Sequence, residues 1–360
     1  DLADTIERSG VPANHPRFNA LLQLYHDILH SPRHLGQHSG GMVFCDDGLD
    51  QIVPLQPAAM PGRTVLQWDK DDCEDLGIIK VDLLGLGMLA AMEDALRICE
   101  QRGRPVDLAK IPKDDPATYE LLCRADTVGT FQVESRAQMA TLPIMQPKTF
   151  YDLAIQVAII RPGPIVGDLV HPYLNRRTGR EAIEYIHPSF EPILKRTLGV
   201  PLFQEQVLRM AMEIANFTGV EADYLRKAMS FKRSDERMME ISQKLQGRMA
   251  ERNIPKEVQE RVVQSIGAFS LYGFPESHAI SFALIAYASC WLKQHRAAEF
   301  FCGLINNQPM GFYSVNTLIQ DARRHGVRTK PVSLNESMIE TTVIDDATLR
   351  LGFHRLKGIR

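Results

Sequence analysis

The chain has 360 residues, 44% of them hydrophobic and 24% charged, with a formal net charge of -3. That length allows two or three domains with cores of their own, and that composition excludes a disordered chain. So small a charge excludes a bulk polycation, so any nucleic-acid surface must be a local cluster of Lys and Arg.

In residues 1–30, Phe18, Leu21, Leu22, Leu24, Tyr25 and Ile28 fall at helical spacing and predict a helix. From Ser31 to Leu84, Gly-Gly, Asp-Asp-Gly and Pro separate short β-branched or aromatic runs, which predicts strands and turns. After Gly85-Leu86-Gly87 the pattern turns helical, with a glycine stop at Gly103. Further helices are predicted at 116–125, 149–159, 204–217, 221–230, 235–252, 255–268, 278–293, 296–305 and 314–325, several opening on Asp, Ser, Thr or Pro. Pro-rich turns stand between them at RPGP (161–164) and YIHPSFEP (185–192). From Arg328 the segment TTVIDDATLRL alternates like a hairpin. The fold class predicted is α+β, a small strand-rich part followed by a large, mainly helical one.

The six cysteines are scattered, without Cys/His spacing for zinc, and fit a reducing cytoplasm. The N-terminus DLADTIERSG shows no secretory pattern and no initiating Met, and both ends break off inside a pattern, so the chain reads as a piece of a longer protein. Ala279 to Leu292 falls short of the roughly 20 apolar residues that span a bilayer and predicts a core helix, not a membrane anchor.

Five stretches carry candidate chemistry. In GIIKVDLLGLGML (77–89), an apolar run that predicts a buried strand is interrupted by Lys80 and Asp82. Positions i and i+2 of a strand share a face, roughly 6 to 7 Å apart, while Ile79 and Val81 point to the other side, toward a core. The pair is either a surface ion pair or a magnesium-ligating carboxylate beside a phosphate-holding ammonium. PRHLGQHSGG (32–41), with Arg33, His34 and His38, is either an ordinary turn or a glycine-rich anion cradle. The prolines of RPGP either stop a helix or aim Arg161 at a phosphate. ADYLRKAMSFKRSDER (222–237) sets Arg226 and Lys227 opposite Leu225, Ala228 and Met229, as a solvated helix face or as a triphosphate clamp. In YGFPESHA (272–279), Ser277 reads as an N-cap with His278 in the first turn, as a capping or surface residue or as part of a helix start that accepts anions.

In this order, QHSGGMVF, QWDKDD, KVDLLGLGML, TFQVESRAQM, RPGP, FQEQV, ADYLRKAM, YGFPESHA and WLKQH resemble the bacterial C-family replicative DNA polymerases, the polymerase III alpha subunits. FPESHAISFALIAYASCWLK and NNQPMGFYSVNTLIQDARRHGV look most like the error-prone, damage-inducible branch. The resemblance implies Asp82 as the third palm carboxylate and metal ligand, and Lys80 as the neighbouring lysine on the nucleotide phosphates. It implies Arg226 and Lys227 as the basic pair of a fingers helix, with Lys where Arg is common in the family. Ser277 and His278 match the motif beside the nucleotide sugar, with Pro275-Glu276 in place of Asn-Lys, and Arg161 lies in the matching fingers turn. It implies two Mg2+ ions, primer-template DNA and deoxynucleoside triphosphates, with a sliding clamp and other translesion proteins bound through regions outside this chain. The implied domains are a helical thumb remnant (1–31), the C-terminal part of the palm (32–90), the fingers (91–327) and the start of a clamp-binding helix-hairpin-helix region (328–360). The family's Asp-x-Asp pair is expected before residue 1, so this chain alone is expected to be inactive. Asp69-Lys70-Asp71 has the letters of that pair but matches a different segment. Two other readings remain open on sequence: a non-catalytic DNA-binding accessory protein, and an unrelated magnesium-dependent phosphotransferase using Lys80 and Asp82.

Overall fold

The computed structural model describes residues 2–29, 36–38, 40–46, 48–83, 86–160, 167–230, 235–270, 274–356 and 358. They divide into two compact units, Asp1–Gly85 and Leu86–Arg360. The fold is α+β, with short strands in both units and a mainly helical second unit.

The first unit runs α1 (Leu2–Arg8), α2 (Phe18–Ile28), β1 (Gly41–Phe44), β2 (Leu55–Pro57), β3 (Thr64–Leu66), α3 (Lys70–Asp75) and β4 (Ile79–Asp82). Strand β1 pairs with β4 and β2 with β3, both antiparallel; Gly41 stands opposite Asp82 and Val43 opposite Lys80. Helix α3 lies in a region expected to be strand and turn. Its first turn closes on itself, because Asp69 Oδ1 accepts the Asp72 N–H at 3.0 Å and Asp72 Oδ2 accepts the Asp69 N–H at 3.1 Å. Asp69 is thus spent on capping.

The expectation that Ile79 and Val81 face a core is not met: they are 64% and 39% exposed, and all of β4 lies open. A two-stranded ribbon covers neither of its own faces and buries one only where another layer packs on it. Among the described residues, this unit buries the apolar side chains Phe18, Val53 and Cys73.

The second unit opens with α4 (Gly87–Gln101), α5 (Pro116–Cys123), α6 (Arg136–Met145) and α7 (Phe150–Ile159). It continues with α8 (Gly167–Arg177), α9 (Glu191–Leu194), α10 (Gln204–Ala215), α11 (Gly219–Ser230), α12 (Asp235–Glu251) and α13 (Lys256–Ser270). Then follow α14 (Glu276–His295), α15 (Ala297–Asn306), α16 (Val315–Arg324), β5 (Arg328–Lys330), β6 (Thr342–Asp345) and β7 (Thr348–Arg350). Caps set several boundaries: Asp115, Ser135 and Ser314 accept backbone N–H groups, and Thr149 and Asp152 cap each other at α7.

Among the described residues, three apolar clusters hold this unit together. The largest gathers Met92, Leu122, Leu153, Tyr287, Phe301 and Leu304, and includes Leu349 of the terminal sheet, whose strand order is β5-β7-β6. Helices α4 and α15 approach so closely that a Cβ on Gly303 would lie 2.3 Å from the Ala91 carbonyl oxygen, so only glycine fits. A second cluster packs α10 to α13 through Val207, Ile214, Leu225, Leu245 and Val262. The third joins Ile155, Tyr173, Phe203 and Ala279, placing the start of α10 against the start of α14. Each buried Val, Leu, Ile, Phe or Met among them contributes about 1.5–3 kcal/mol.

Candidate functional site

In the first unit, Lys80 and Asp82 alternate with Ile79 and Val81 along β4 and therefore share one face of the ribbon. His38, which comes just before β1, joins them. Its Nδ1 accepts the Gly40 N–H at 3.1 Å, which leaves the proton on Nε2, 3.5 Å from Asp82 Oδ2. The ring lies so close to the chain that a Cβ on Gly41 would meet it at 3.1 Å. The glycines of HSGG thus fold a histidine back onto the strand that carries the carboxylate. His38 and Asp82 are 55% and 57% exposed, open enough to meet a ligand. Below them, burial pushes the Cys73 thiol up against the opposing pull of the Lys80 ammonium.

In the second unit, α11 turns Leu225, Ala228 and Met229 into the core and leaves Arg226 and Lys227 on the surface. Both cations reach back to one carboxylate: Arg226 Nε and Nη2 lie 2.9 Å from Asp223 Oδ1, and Lys227 Nζ lies 3.3 Å from Oδ2. Hydrogen bonds from Arg226 and then Lys227 hold the Asp223 carboxyl below its ordinary range. In the first turn of the same helix, Glu221 is held well below the carboxylate range by the Thr218 N–H, then by Lys244 and Arg248. Solvent-exposed pairs of this kind contribute little stability, so an incoming phosphate can compete with Asp223 at small cost.

Helix α14 starts at Glu276, one residue before the predicted cap. Its N-cap is Pro275, which has no side-chain acceptor, and Ser277 lies inside the first turn. The cap comes from elsewhere: the Glu276 N–H donates to Glu205 Oε2 of α10 at 2.9 Å. Part of the anion-accepting capacity expected here is therefore already met by the chain's own carboxylate. Ser277 and His278 are exposed and line an open depression of about 520 Å³ with Pro275 and Ser281. The His278 ring packs between Phe274 and Phe282, with centroids 5.2 and 4.1 Å away. Arg161, with the rest of RPGP, and Arg33 and His34 lie outside the described residues.

A family model of the bacterial DNA polymerase III alpha subunit finger domain matches residues 88–253. One of the bacterial DNA polymerase III alpha NTPase domain matches residues 2–85. The chain belongs to the bacterial DNA polymerase III alpha family. Among its curated relatives is an error-prone DNA polymerase of Dechloromonas aromatica, 50% identical over 358 residues, which are 99% of this chain and 35% of the relative. One of Methylococcus capsulatus is 51% identical over 343 residues, 95% of this chain and 33% of the relative. One of Corynebacterium glutamicum is 51% identical over 341 residues, 94% of this chain and 32% of the relative. The chain thus spans about a third of the length of the curated relatives it matches.

One further ionic cluster in the chain was not anticipated from sequence. Asp126, Asp321 and His325 bring ligand atoms within 4.8 Å of one another, a spacing that would suit a metal ion. The ammonium of Lys293, from the WLKQH motif, already takes the cation's place. Its Nζ lies 2.7 Å from Asp321 Oδ2, 3.3 Å from Asp126 Oδ1 and 2.9 Å from the Val128 carbonyl oxygen, and the side chain is fully buried. His325 Nε2 closes the ring at 3.0 Å from Asp126. Burial acts to raise the Asp126 carboxyl, but His325 and Lys293 outweigh it and hold it well below the carboxylate range, while Asp126 raises His325. A lysine in an apolar helix is the only sequence signal of this network, and its partners lie far off in the chain.

All six cysteines are free thiols. Among the described residues no helix is long and apolar enough to cross a membrane.

Proposed function

We propose that this chain is the palm-end and fingers segment of an error-prone, DNA-directed DNA polymerase. In this reading the enzyme is cytoplasmic and extends a primer 3′ end by nucleotidyl transfer, in damage-induced translesion synthesis. The observation that carries the reading is the roughly 50% identity, over nearly the whole chain, to polymerases that share the name error-prone. Residues 1–31 are assigned to the end of the thumb, 32–90 to the palm, 91–327 to the fingers and 328–360 to the start of the clamp-binding region. Primer-template DNA and deoxynucleoside triphosphates are its substrates, and a sliding clamp and other translesion proteins its partners.

The residues suit a divalent cation as one contributor among several. Asp82 offers hard oxygen donors on an open strand, and Mg2+ takes one or two carboxylates and fills its shell with water and phosphate oxygens. Two Mg2+ ions, when bound, supply activation of the primer 3′-hydroxyl and charge neutralisation at the leaving pyrophosphate. Asp82 is assigned as one ligand, and Lys80, on the same face, as a fixed positive charge for the nucleotide phosphates. Arg226 and Lys227 exchange Asp223 for phosphate oxygens, Arg226 through a planar, two-donor edge. Ser277 and His278 meet the nucleotide beside its sugar, and Arg161 is assigned to the same fingers surface. Positioning and charge complementarity do most of the work in such transfers.

The test is Lys80→Ala in the full-length polymerase. It is predicted to raise the apparent nucleotide KM about tenfold while primer-template affinity stays within about threefold. An unchanged nucleotide KM would remove Lys80 from the phosphate site.

A further inference from the structure

The segment FQEQV (203–207) holds the start of α14 through two successive residues, Gln204 and Glu205. The Gln204 N–H donates to the Phe274 carbonyl oxygen at 3.0 Å. Glu205 Oε2 accepts the Glu276 N–H at 2.9 Å. Gln206 is 5% exposed and fixes its own turn: Oε1 accepts the Leu202 and Phe203 N–H groups at 2.9 and 3.1 Å, and Nε2 donates to Thr197 Oγ1 at 2.9 Å. The Glu276 side chain is turned aside by a second tether, because its Oε1 accepts the Tyr151 hydroxyl of α7 at 2.7 Å. The Arg196 guanidinium lies 4.8 Å over the Tyr151 ring. With Arg209, these groups line a cavity of about 200 Å³, where two guanidiniums offset the two carboxylates.

Residues 274 and 276 are therefore tied to α10, and Glu276 also to α7, immediately before Ser277 and His278. A proline N-cap cannot supply this hold, because it has no side-chain acceptor. A carboxylate at a helix N-terminus also complements the helix dipole, so Glu205 both caps the helix and fixes its first turn. His278 inherits the placement directly, since one of the two rings packed against it belongs to Phe274.

We infer that Glu205, seconded by Tyr151 acting through Glu276, is a positioning residue for the incoming nucleotide: it touches no substrate and sets where Ser277 and His278 stand. The inference rests on the reading that Ser277 and His278 meet the nucleotide, so its test carries variants of those residues alongside.

In primer extension by the full-length polymerase, Glu205→Ala is predicted to raise the apparent nucleotide KM about tenfold with kcat within about threefold of the parent. Glu205→Gln keeps an oxygen to accept the Glu276 N–H and is predicted to recover most of that loss. Tyr151→Phe, which removes only the hydroxyl, is predicted to raise KM about threefold. A Glu205→Ala KM equal to the parent's, where His278→Ala raises it, overturns the positioning role and leaves the nucleotide contact standing. If Ser277→Ala and His278→Ala also leave KM unchanged, the nucleotide reading of this helix start fails and the inference with it. Equal falls in kcat and primer-template affinity without a KM change mark a purely structural role and overturn it too. Should Glu205→Ala not fold, Glu205→Ser, too short to reach the Glu276 N–H, takes its place, and an unchanged KM in both Glu205→Ser and Tyr151→Phe decides against the inference.

Discussion

Lys293 illustrates how one side chain organises distant parts of the chain. Its ammonium is fully buried between Asp126, before α6, and Asp321, on α16. Removing one partner of such a network leaves uncompensated buried charge, so Lys293→Met is predicted to cost about 3–5 kcal/mol in denaturant unfolding. An unchanged midpoint would show that His325 and Arg324 suffice to hold the carboxylates. The network also has a pH window. His325 is raised above its ordinary 6.5, so its contribution is complete below that pH and is lost as pH rises through the folded value. Asp126 is depressed, so its contribution is present above its ordinary 3.8 and is lost on acidification. At this scale the sequence was only partly legible. Lys80 and Asp82 stood out because charge interrupts an apolar run, and Arg226 and Lys227 because the helical period puts them opposite Leu225 and Met229. His38 as the neighbour of Asp82, and Glu205 as the cap of α14, depend on tertiary approach and left no local trace.

Helices were the most legible elements, because Thr149, Asp115 and Ser314 act on backbone only three residues away and so announce their starts. Helices α6 and α8 were not among the predicted ones, and each carries a proline inside it, Pro143 and Pro172, a residue that interrupts the helical pattern. The start of α14 was misplaced because its cap comes from another helix. Strand β4 was found but its exposure was misjudged, since apolar side chains in a strand say only that some layer can cover them. Connections between elements carry their own titration. Glu134 is buried; its Oε2 accepts the Gly129 N–H at 2.8 Å, the Phe312 N–H also bonds to it, and its backbone oxygen accepts the Tyr313 hydroxyl at 2.9 Å. Burial pushes this carboxyl up from 4.5 to about 6. The folded chain therefore holds the proton more tightly than the unfolded one, and stability falls as pH rises from 4.5 to about 6, then levels off. Glu134→Gln retains an acceptor without the charge and is predicted to flatten that part of the stability profile. A slope as steep as the parent's would exclude Glu134 as its source.

For the molecule as a whole, the two units differ in how much they bury. Among the described residues the second has three apolar clusters, whereas the first encloses the apolar side chains Phe18, Val53 and Cys73 and leaves β4 exposed along its length. The α+β class was legible from the change in texture near Gly85, where turn-separated short runs give way to a 3.6-residue period. The family was legible because its motifs recur in order. The openness of β4 is what the proposed function needs, because a carboxylate and an ammonium on one uncovered strand face are accessible to a cation and a polyphosphate together. The most direct measurement is primer extension by the full-length polymerase carrying Asp82→Ala, with primer-template affinity determined on the same preparation. Extension is predicted to fall roughly a hundred- to a thousandfold or more while primer-template affinity stays within about threefold. Extension at the parental rate would contradict the assignment of Asp82 to the metal site.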